Sequence, residues 1–418
     1  MEQESRQTEI EKIPRGWVLA RLEEVTLSLI GGGTPSTSQP DYWDGDIPWM
    51  TSANLTNRVV LRGMKNITEK GVRNSATNIV PKGSLLISTR VGIGKVGIAG
   101  IDVAISQDLT GLVPDKSKVD IEYLYWTILD KSSHLSGLSQ GSTVKGLTRD
   151  YVRTLRIHLP PIPEQKKIAE ILSTVDQAIE KVDEAIEKTK RLKKGLMQEL
   201  LTKGIGHNEF KDTEIGGIPK AWKIMKLGET ANVRYGLGQP PATEPDGIPM
   251  IRATNVKRGK IVKEGLIFIS PNAVPISRHP FLRVGDILVV RSGAYTGDVG
   301  LVTKEWEGAV AGYDLVVTPS DAIDSQFLTY YLLSSSVQKR HFAGLKVRSA
   351  QPHLNSSQVE ETPIPLPSLS DQRKIAGILG IVDRRIELLG NRKQRLGRIK
   401  KGLMNDLLTG RKQVRLEA

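Results

Sequence analysis

Two stretches of this chain decide its fold: LPPIPEQKKIAEIL at residues 159–172 and LPSLSDQRKIAGIL at residues 366–379. Each runs from a proline-rich segment into the pattern Gln-x-Lys-Ile-Ala-x-Ile-Leu, and the two lie 207 residues apart. The same offset brings Lys-Gly-Leu-Met at 194–197 onto 401–404, and Leu-Leu-Thr at 200–202 onto 407–409. An offset that holds without a gap over so many positions indicates an internal duplication, with a repeating unit of about 200 residues.

The duplication extends upstream, where it becomes weaker. Thr-Glu-Ile at 8–10 and Ile-Pro-x-x-Trp at 13–17 return at 213–215 and 218–222. Between these openings and the helical ends, the copies share only scattered glycine, proline and apolar positions. The similar helical ends suggest that both copies share one task, and the divergent globular regions suggest that the copies bind two different targets.

Two long helices are predicted after the proline-rich segments, with residues 160–163 themselves non-helical. Apolar residues then recur at the alternating four- and three-residue spacing of a coiled-coil seam, interrupted at Lys193 and Lys400 among others. Each helix could pack on its own globular region, or the two could pair antiparallel; the near-identical seams favour pairing. The residues expected to pair are Ile168, Leu172, Val175, Ile179, Ile375, Leu379, Val382 and Ile386. A helix from Ile168 to Lys203 would be about 54 Å long, which suits a rigid spacer.

The globular regions are predicted to be mixed and rich in β-strands, so the fold class is α+β. Runs of β-branched residues bounded by glycine predict strands at 85–91, 96–105, 287–291 and 309–318, and helices are expected at 121–138 and 325–342. The chain is divided into a globular domain at 1–160, a helix at 161–204, a second globular domain at 205–367 and a final helix at 368–418. Pseudo-two-fold symmetry is expected between the copies.

The composition narrows the kind of protein. Cysteine is absent, which excludes disulfides and thiolate metal sites and fits a reducing cytosol. Residues 1–17 lack the apolar segment of a signal peptide, and no run reaches the roughly 18 apolar residues of a membrane span. A cytoplasmic protein without a membrane partner is therefore expected. The net charge of +13 favours polyanions, and residues 371–418 alone carry thirteen Lys or Arg against five acidic residues.

The motifs of common enzymes fail on inspection. Residues 92–97 match the dinucleotide pattern GxGxxG, but a strand-like stretch follows where that pattern requires a helix. The 6 histidines are scattered without the spacing of metal ligands. The chain is therefore predicted to be non-catalytic, with no cofactor or metal of its own.

Polar, glycine-bounded loops at equivalent places in the two copies are the candidates for contact with DNA. Bases are read by Arg, Lys, Asn and Gln, and phosphates are bound by Ser, Thr and backbone N–H groups. In the first copy the candidates are Asn54, Thr89, Arg90, Ser142, Thr143 and Lys145. In the second copy they are Arg252, Asn255, Arg291, Ser292, Arg348 and Gln351. Asn54 and Asn255 have the alternative of capping a turn, which asparagine does well.

Taken together, these landmarks resemble the specificity subunits of type I restriction–modification systems, over essentially the whole chain. The resemblance is carried by Ile-Pro-x-x-Trp at the start of each copy, Gly-Ser-Thr-Val-Lys at 141–145, Gln-x-Lys-Ile-Ala-x-Ile-Leu and Lys-Gly-Leu-Met. In the second copy, Val-Arg-Ser-Ala-Gln at 347–351 replaces Gly-Ser-Thr-Val-Lys, so the family's contacts carry over less directly there.

The resemblance implies that each globular region is a target-recognition domain for one half of a bipartite, asymmetric site in double-stranded DNA. It implies that the helices pair as an antiparallel coiled coil, set the gap between the half-sites and dock two modification subunits. Those subunits carry S-adenosylmethionine and methylate adenine, and restriction (motor–nuclease) subunits with ATP and Mg²⁺ join for cleavage. A type IIB-like system with a fused methylase–nuclease partner would use the same architecture. Alternatives of other classes are an autonomous nuclease or methyltransferase, and a coiled-coil scaffold unrelated to DNA.

Overall fold

The computed structural model of the chain describes residues 13–138, 146–238, 241–274, 280–343 and 353–416. The chain forms two compact units: unit 1 is Met1–Asp183 with Asn391–Ala418, and unit 2 is Glu184–Gly390. Each unit therefore combines one globular copy with a segment of each long helix. The predicted α+β class, with two β-rich domains and long helices, is confirmed.

Unit 1 is built on two sheets. Its strands are β1 (Val18–Arg21), β2 (Thr26–Gly31), β3 (Trp43–Met50), β4 (Val59–Val60), β5 (Lys65–Ile67), β6 (Asn78–Val80), β7 (Leu85–Ser88), β8 (Val96–Ala99), β9 (Val103–Ile105), β10 (Leu109–Pro114) and β11 (Arg156–Leu159). Its helices are α1 (Leu22–Val25), α2 (Glu69–Arg73), α3 (Ile121–Asp130), α4 (Ser132–Leu138), α5 (Arg149–Thr154) and the first part of α6 (Ile162–Lys203). The sheet orders are β2-β10-β7-β8-β4 and β5-β3-β9-β6, and β1 pairs with β11.

Unit 2 repeats this plan, with shorter strands in its main sheet. Its strands are β12 (Phe210–Lys211), β13 (Ile218–Pro219), β14 (Lys223–Lys226), β15 (Ala231–Tyr235), β16 (Thr243–Ile251), β17 (Val256–Lys257), β18 (Lys260–Ile261), β19 (Ile267–Ile269), β20 (Ile287–Val289), β21 (Val299–Leu301), β22 (Val310–Ala311), β23 (Leu315–Pro319) and β24 (Pro363–Leu366). Its helices are α7 (Ser325–Leu332), α8 (Ser356–Glu360) and the first part of α9 (Leu369–Leu408). The main sheet, β15-β23-β20-β21, corresponds to β2-β10-β7-β8 of unit 1.

Several predicted elements are shorter or divided. The strand predicted at 96–105 is two strands, β8 and β9, and at Gly100 between them a Cβ would lie within 3 Å of Val59 and Leu61. The strand predicted at 309–318 is likewise divided into β22 and β23. The helix predicted at 121–138 is divided into α3 and α4, and α7 is followed by a π-helical turn at Ser336–Phe342.

The prediction that residues 160–163 are non-helical was wrong in part. Helix α6 begins at Ile162, with Pro163 as its second residue. Proline is tolerated there because an N–H in the first turn has no partner within the helix. The Glu164 and Gln165 N–H groups donate to the Pro161 carbonyl at 2.9 and 3.0 Å, so Pro161 receives the first bonds of the helix.

Each Ile-Pro-x-x-Trp motif packs against the end of the other copy's helix. In unit 1, Trp17 shares a buried core with Leu407 and Leu408 of α9. In unit 2, Trp222 shares one with Leu200 and Leu201 of α6. The opening of one copy and the helix end of the other are therefore parts of one core, which explains why both are repeated so closely.

The pairing residues predicted for the helix starts have a double role. Ile168 and Leu172 lie in the core of unit 1, together with the end of α9. Ile375 and Leu379 lie in the core of unit 2, together with the end of α6. Packing on the globular domain and packing on the other helix were alternatives, and these residues take part in both. Further along the seam, Val182 and Val382 are buried, while Val175, Ile179 and Ile386 are half-buried.

Within unit 1 the two helix segments run antiparallel. Asp176 of α6 forms an ion pair with Lys400 of α9, and Asp183 forms one with Lys393 at 2.6 Å. From the first ion pair to the second, the residue number rises by seven in α6 and falls by seven in α9, so the helices are antiparallel. The Lys400 ammonium also lies 4.8 Å from the ring centroid of Trp126, which holds it by a cation–π contact.

Unit 2 contains the equivalent arrangement. Lys193 of α6 binds Asp383 of α9 at 2.6 Å and lies 5.1 Å from the ring centroid of Tyr330. The Tyr330 hydroxyl donates to the second Asp383 oxygen at 2.7 Å. Burial, and then the Asp383 carboxylate, raise the pKa of Tyr330. The lysines that interrupt the apolar pattern are therefore bound by the opposing helix, at positions 207 residues apart in the two copies.

Candidate nucleic-acid interface

A buried glutamine of the repeated motif ties each long helix to its globular domain. The Gln165 side chain is fully buried; it donates to the carbonyls of Lys118 and Pro160 and accepts from the Asp120 N–H at 2.8 Å. Asp120 caps α3, so the bond fixes the start of α6 against the start of α3. Gln372 makes the same set of bonds at the cap of α7. The motif thus holds each domain rigidly on its helix.

Unit 1 has a polar cleft between its main sheet and the start of α5. The cleft holds about 550 Å³, and its lining includes Gly31, Thr89, Arg90, Gln107 and Arg149. Arg90 and Arg149 are exposed, and neither is ion-paired within the part of the chain that the structure describes. Gln107 accepts a hydrogen bond from the Thr34 hydroxyl at 2.6 Å, which orients its amide. Cationic and amide donors in one open cleft can bind phosphates and base edges.

At the equivalent place in unit 2, an arginine stacks against two tyrosine rings. The Arg291 guanidinium carbon is 4.3 Å from the ring centroid of Tyr313 and 4.7 Å from that of Tyr235. The tyrosines are 50% and 47% exposed, so this stack lies at the surface. Because arginine can only donate, its Nη2 donates to His353 Nε2, at 2.7 Å. Two cation–π contacts and one hydrogen bond therefore hold the guanidinium without a ligand.

A buried carboxylate is bonded to the backbone of the arginine in this stack. Asp314 is 3% exposed and accepts a hydrogen bond from the Arg291 backbone N–H at 3.2 Å. Burial raises the pKa of Asp314 to about 6, against the opposing effect of Arg291. The Ser356 N–H and hydroxyl share Tyr235 Oη at 3.2 and 3.3 Å, which joins the stack to the first turn of α8.

The cleft and the stack occupy corresponding positions. The Thr89 carbonyl accepts from the Leu147 N–H at 2.7 Å, and the Arg291 carbonyl accepts from the Leu354 N–H at 2.8 Å. Each leucine comes just before the capping residue of a short helix, α5 or α8, and the two are 207 residues apart. Thr89 thus corresponds to Arg291.

The neighbouring positions correspond as well. Gly31 and Tyr235 are the last residues of the edge strands β2 and β15. Gln107 and Tyr313 each stand two residues before the next strand, β10 or β23. Gly31, Thr89 and Gln107 of unit 1 are smaller than the corresponding Tyr235, Arg291 and Tyr313. The space that the stack fills in unit 2 is therefore open in unit 1. One backbone framework presents two different surfaces.

Two of the residues predicted to contact DNA are buried in the structure. Thr89 is 4% exposed and Asn255 is 0% exposed, so neither side chain is free at the surface, and contact with DNA stays a prediction for both. Asn255 caps its own turn: it accepts from the Arg252 N–H at 3.1 Å and donates to the carbonyls of Val262 and Glu264. This is the alternative noted for asparagine. Asn54 also caps a turn, accepting from the Thr51 N–H at 3.0 Å, but it is only half-buried.

The other candidates likewise remain predictions. Arg252 is half-buried and donates to the Gly265 carbonyl at 2.5 Å. Ser292 pairs through its backbone with His353, next to the stack. Five candidates lie outside the described residues: Ser142, Thr143, Lys145, Arg348 and Gln351. The sequence patterns missed Gln107, Arg149, Tyr235 and Tyr313, because single polar or aromatic residues in loops and strand ends produce no periodic signal.

The described residues offer neither a metal-binding cluster nor a membrane-spanning helix. They contain no group of three or more His, Cys, Asp or Glu side chains placed to hold a metal ion. Among their helices, none is long and apolar enough to cross a membrane. The GxGxxG-like segment runs into strand β8, as predicted, and so lacks the helix of a dinucleotide site.

Known proteins resemble this chain over nearly its full length. The specificity subunits of the type I restriction enzymes MjaVIII and MjaIX of Methanocaldococcus jannaschii are each 28% identical to it. The alignments cover 97% and 99% of this chain and 95% and 97% of those subunits.

Two solved structures share the fold. The S subunit of a type I restriction–modification system from M. genitalium has a TM-score of 0.59 at 16% identity, covering 94% of this chain and 96% of that one. A chain from a structure on assembly and conformational transition of the type I R-M system has a TM-score of 0.60 at 17% identity, covering 95% and 98%. The family profile described as type I restriction modification DNA specificity domain matches residues 14–188 and 219–398. With both copies matched over most of their length, the chain belongs to the type I restriction–modification DNA specificity family.

Proposed function

We propose that this chain gives a type I restriction–modification enzyme its DNA sequence specificity, by reading one half of a bipartite, asymmetric duplex site with each globular domain. The observation that carries the proposal is the pair of corresponding surfaces, the open cleft of unit 1 and the arginine stack of unit 2. Two readers with a common framework and different side chains suit two half-sites of different sequence.

The long helices are proposed to dock two modification subunits. In unit 2, Ile381 and Leu388 of α9 are 71% and 61% exposed, and seven residues apart they share one face of the helix. Large apolar side chains so exposed on a charged helix are typical of a protein interface. The arginines beside them, Arg384 and Arg385, are exposed as well and would favour an acidic partner surface.

Catalysis is proposed to lie entirely with the partners. The modification subunits would supply S-adenosylmethionine and methylate adenine, and restriction subunits would supply ATP, Mg²⁺ and DNA cleavage. This chain would bind no cofactor. As a subunit that acts on cellular DNA, it is placed in the cytoplasm.

The test is a reconstitution with the modification subunits encoded beside this chain. The complex should bind a duplex that carries both half-sites, and scrambling either half-site should abolish specific binding. The chain alone, with DNA, Mg²⁺ and S-adenosylmethionine, should neither cleave nor methylate. Robust turnover by the chain alone would overturn the proposal.

Docking is tested separately by native mass spectrometry. Replacing both Ile381 and Leu388 with Glu should prevent assembly, while Arg373→Ala, an exposed change on the same helix, should not. Normal assembly by the double variant would show that the modification subunits dock elsewhere.

A further inference from the structure

We infer that Arg291 reads a guanine in the half-site bound by unit 2. The inference rests on the proposed function and adds the identity of one base and the side chain that selects it. Nothing equivalent is inferred for unit 1, where Thr89 is in the corresponding position.

The first reason is that the guanidinium is held in place before DNA arrives. The ring centroids of Tyr313 and Tyr235 lie 4.3 and 4.7 Å from the guanidinium carbon. His353 Nε2 accepts a hydrogen bond from Arg291 Nη2. The Arg291 backbone N–H donates to Asp314, and its carbonyl accepts from the Leu354 N–H. A long flexible side chain loses conformational entropy on binding, and contacts made in the free protein reduce that loss.

The second reason is the supply of donors. A guanidinium has five N–H groups in one plane. Within the described residues one is taken by His353, and Nε is buried without a partner. The remaining N–H groups, on the two terminal nitrogens, are left for a ligand at the exposed stack. Two parallel donors match the O6 and N7 acceptors of guanine in the major groove.

The third reason separates a base from a phosphate. The buried Asp314 carboxylate accepts a hydrogen bond from the Arg291 backbone N–H at 3.2 Å, and Asp314 directly follows Tyr313 of the stack in the chain. A carboxylate so near repels a phosphate, but it leaves the hydrogen-bond geometry toward a neutral base intact. In the cleft of unit 1, Arg90 and Arg149 are not ion-paired within the described residues, and they are better placed to bind phosphate.

The comparison of the two units makes the inference specific. At Gly31, Thr89 and Gln107 of unit 1 there is neither an arginine nor an aromatic ring, although the framework is the same. We therefore expect that only the half-site bound by unit 2 requires a guanine because of the stack.

The experiment pairs a base change with a side-chain change. Mapping the methylated adenines first gives the two half-sites, and each guanine is then replaced singly by 7-deazaguanine, which lacks only the N7 acceptor. At one guanine of one half-site, the reconstituted complex should lose affinity by about 10-fold, within the range known for a bidentate arginine–guanine contact. Arg291→Ala should lose a similar factor and show no further loss with 7-deazaguanine at that position.

Two variants separate base reading from a structural role. Arg291→Lys keeps the charge but not the paired donors, so it should bind DNA yet lose discrimination at that guanine. Arg90→Ala, an exposed arginine in unit 1, should weaken binding without altering sensitivity to 7-deazaguanine at that position.

The failure of the inference is distinguishable from failure of the proposed function. If the complex reads a bipartite site but Arg291→Ala weakens binding equally at every sequence, Arg291 contacts the backbone and the inference is overturned. A half-site without guanine would overturn it too. If the complex discriminates no site at all, the proposed function itself has failed.

Discussion

The ion pair between Lys193 and Asp383 should contribute more to helix pairing than any exposed pair on the same helices. The Lys193 and Asp383 side chains are 18% and 27% exposed, and Asp383 also accepts from the Tyr330 hydroxyl. Removing one member of a fully buried pair costs about 3–5 kcal/mol, and exposed pairs contribute about 0–1 kcal/mol. For this partly buried pair we expect Lys193→Met to cost about 2 kcal/mol, since the methionine keeps the packing of the stem.

Hydrogen exchange followed by mass spectrometry measures this locally in the intact chain. Peptides from residues 184–203 should exchange about 30-fold faster in Lys193→Met, the factor that corresponds to about 2 kcal/mol. A double-mutant cycle with Asp383→Asn should give a coupling energy of about 1–2 kcal/mol.

The matched control is Lys393 with Asp183, in unit 1. This pair has the same 2.6 Å separation, but its side chains are 47% and 44% exposed. Its coupling should stay below about 0.5 kcal/mol. Equal couplings for the two pairs, or none for Lys193 with Asp383, would refute the argument from burial.

Three further predictions concern the domains. Gln372→Leu should lower the unfolding temperature of unit 2 by several degrees in calorimetry, because it leaves the Asp324 N–H and two carbonyls without their buried partner. An unchanged unfolding temperature would contradict the role of Gln372 in tying α9 to the start of α7. Burial raises the pKa of Asp314 from 3.8 to about 6, so protonation of Asp314 favours the folded state. This stabilisation, at most about 3 kcal/mol, is lost as the pH rises through 6. Asp314→Asn should remove this pH dependence of the unfolding temperature in thermal scans from pH 4 to 8, and a pH dependence that persists in the variant would have to come from another group. Gly204→Ala should destabilise unit 2 more than Gly206→Ala, as measured by urea unfolding, since both have positive φ but only at Gly204 would a Cβ lie 2.6 Å from Trp222; equal effects would mean that backbone strain alone matters.

The parts of the fold that follow a repeat or a period could be predicted from the sequence. The constant offset of 207 residues identified the duplication, and the apolar spacing identified both long helices. These signals are local, because every turn of a helix repeats the same requirement for an apolar face. The proline-rich start of α6 was placed wrongly, since proline is compatible with the first helical turn as well as with extended chain.

What could not be predicted depends on contacts between distant residues. Lys193 breaks an apolar pattern, and the sequence alone does not show that Asp383, 190 residues away, receives it. Thr89 and Asn255 are polar residues in glycine-rich segments, and only the folded structure shows them to be buried. Gln107 and Tyr313 each precede an aspartate at equivalent positions of the two copies. Their place in the site is visible only in the structure, where Tyr313 stacks on Arg291.

The most direct test of the central claim is to map methylated adenines in cells that carry this chain with its modification subunits. Two domains that read separate half-sites predict one bipartite, asymmetric motif, with two specified segments separated by unspecified bases. Arg291→Ala should relax one segment and leave the other unchanged. A single contiguous motif, or relaxation of both segments together by Arg291→Ala, would contradict the account.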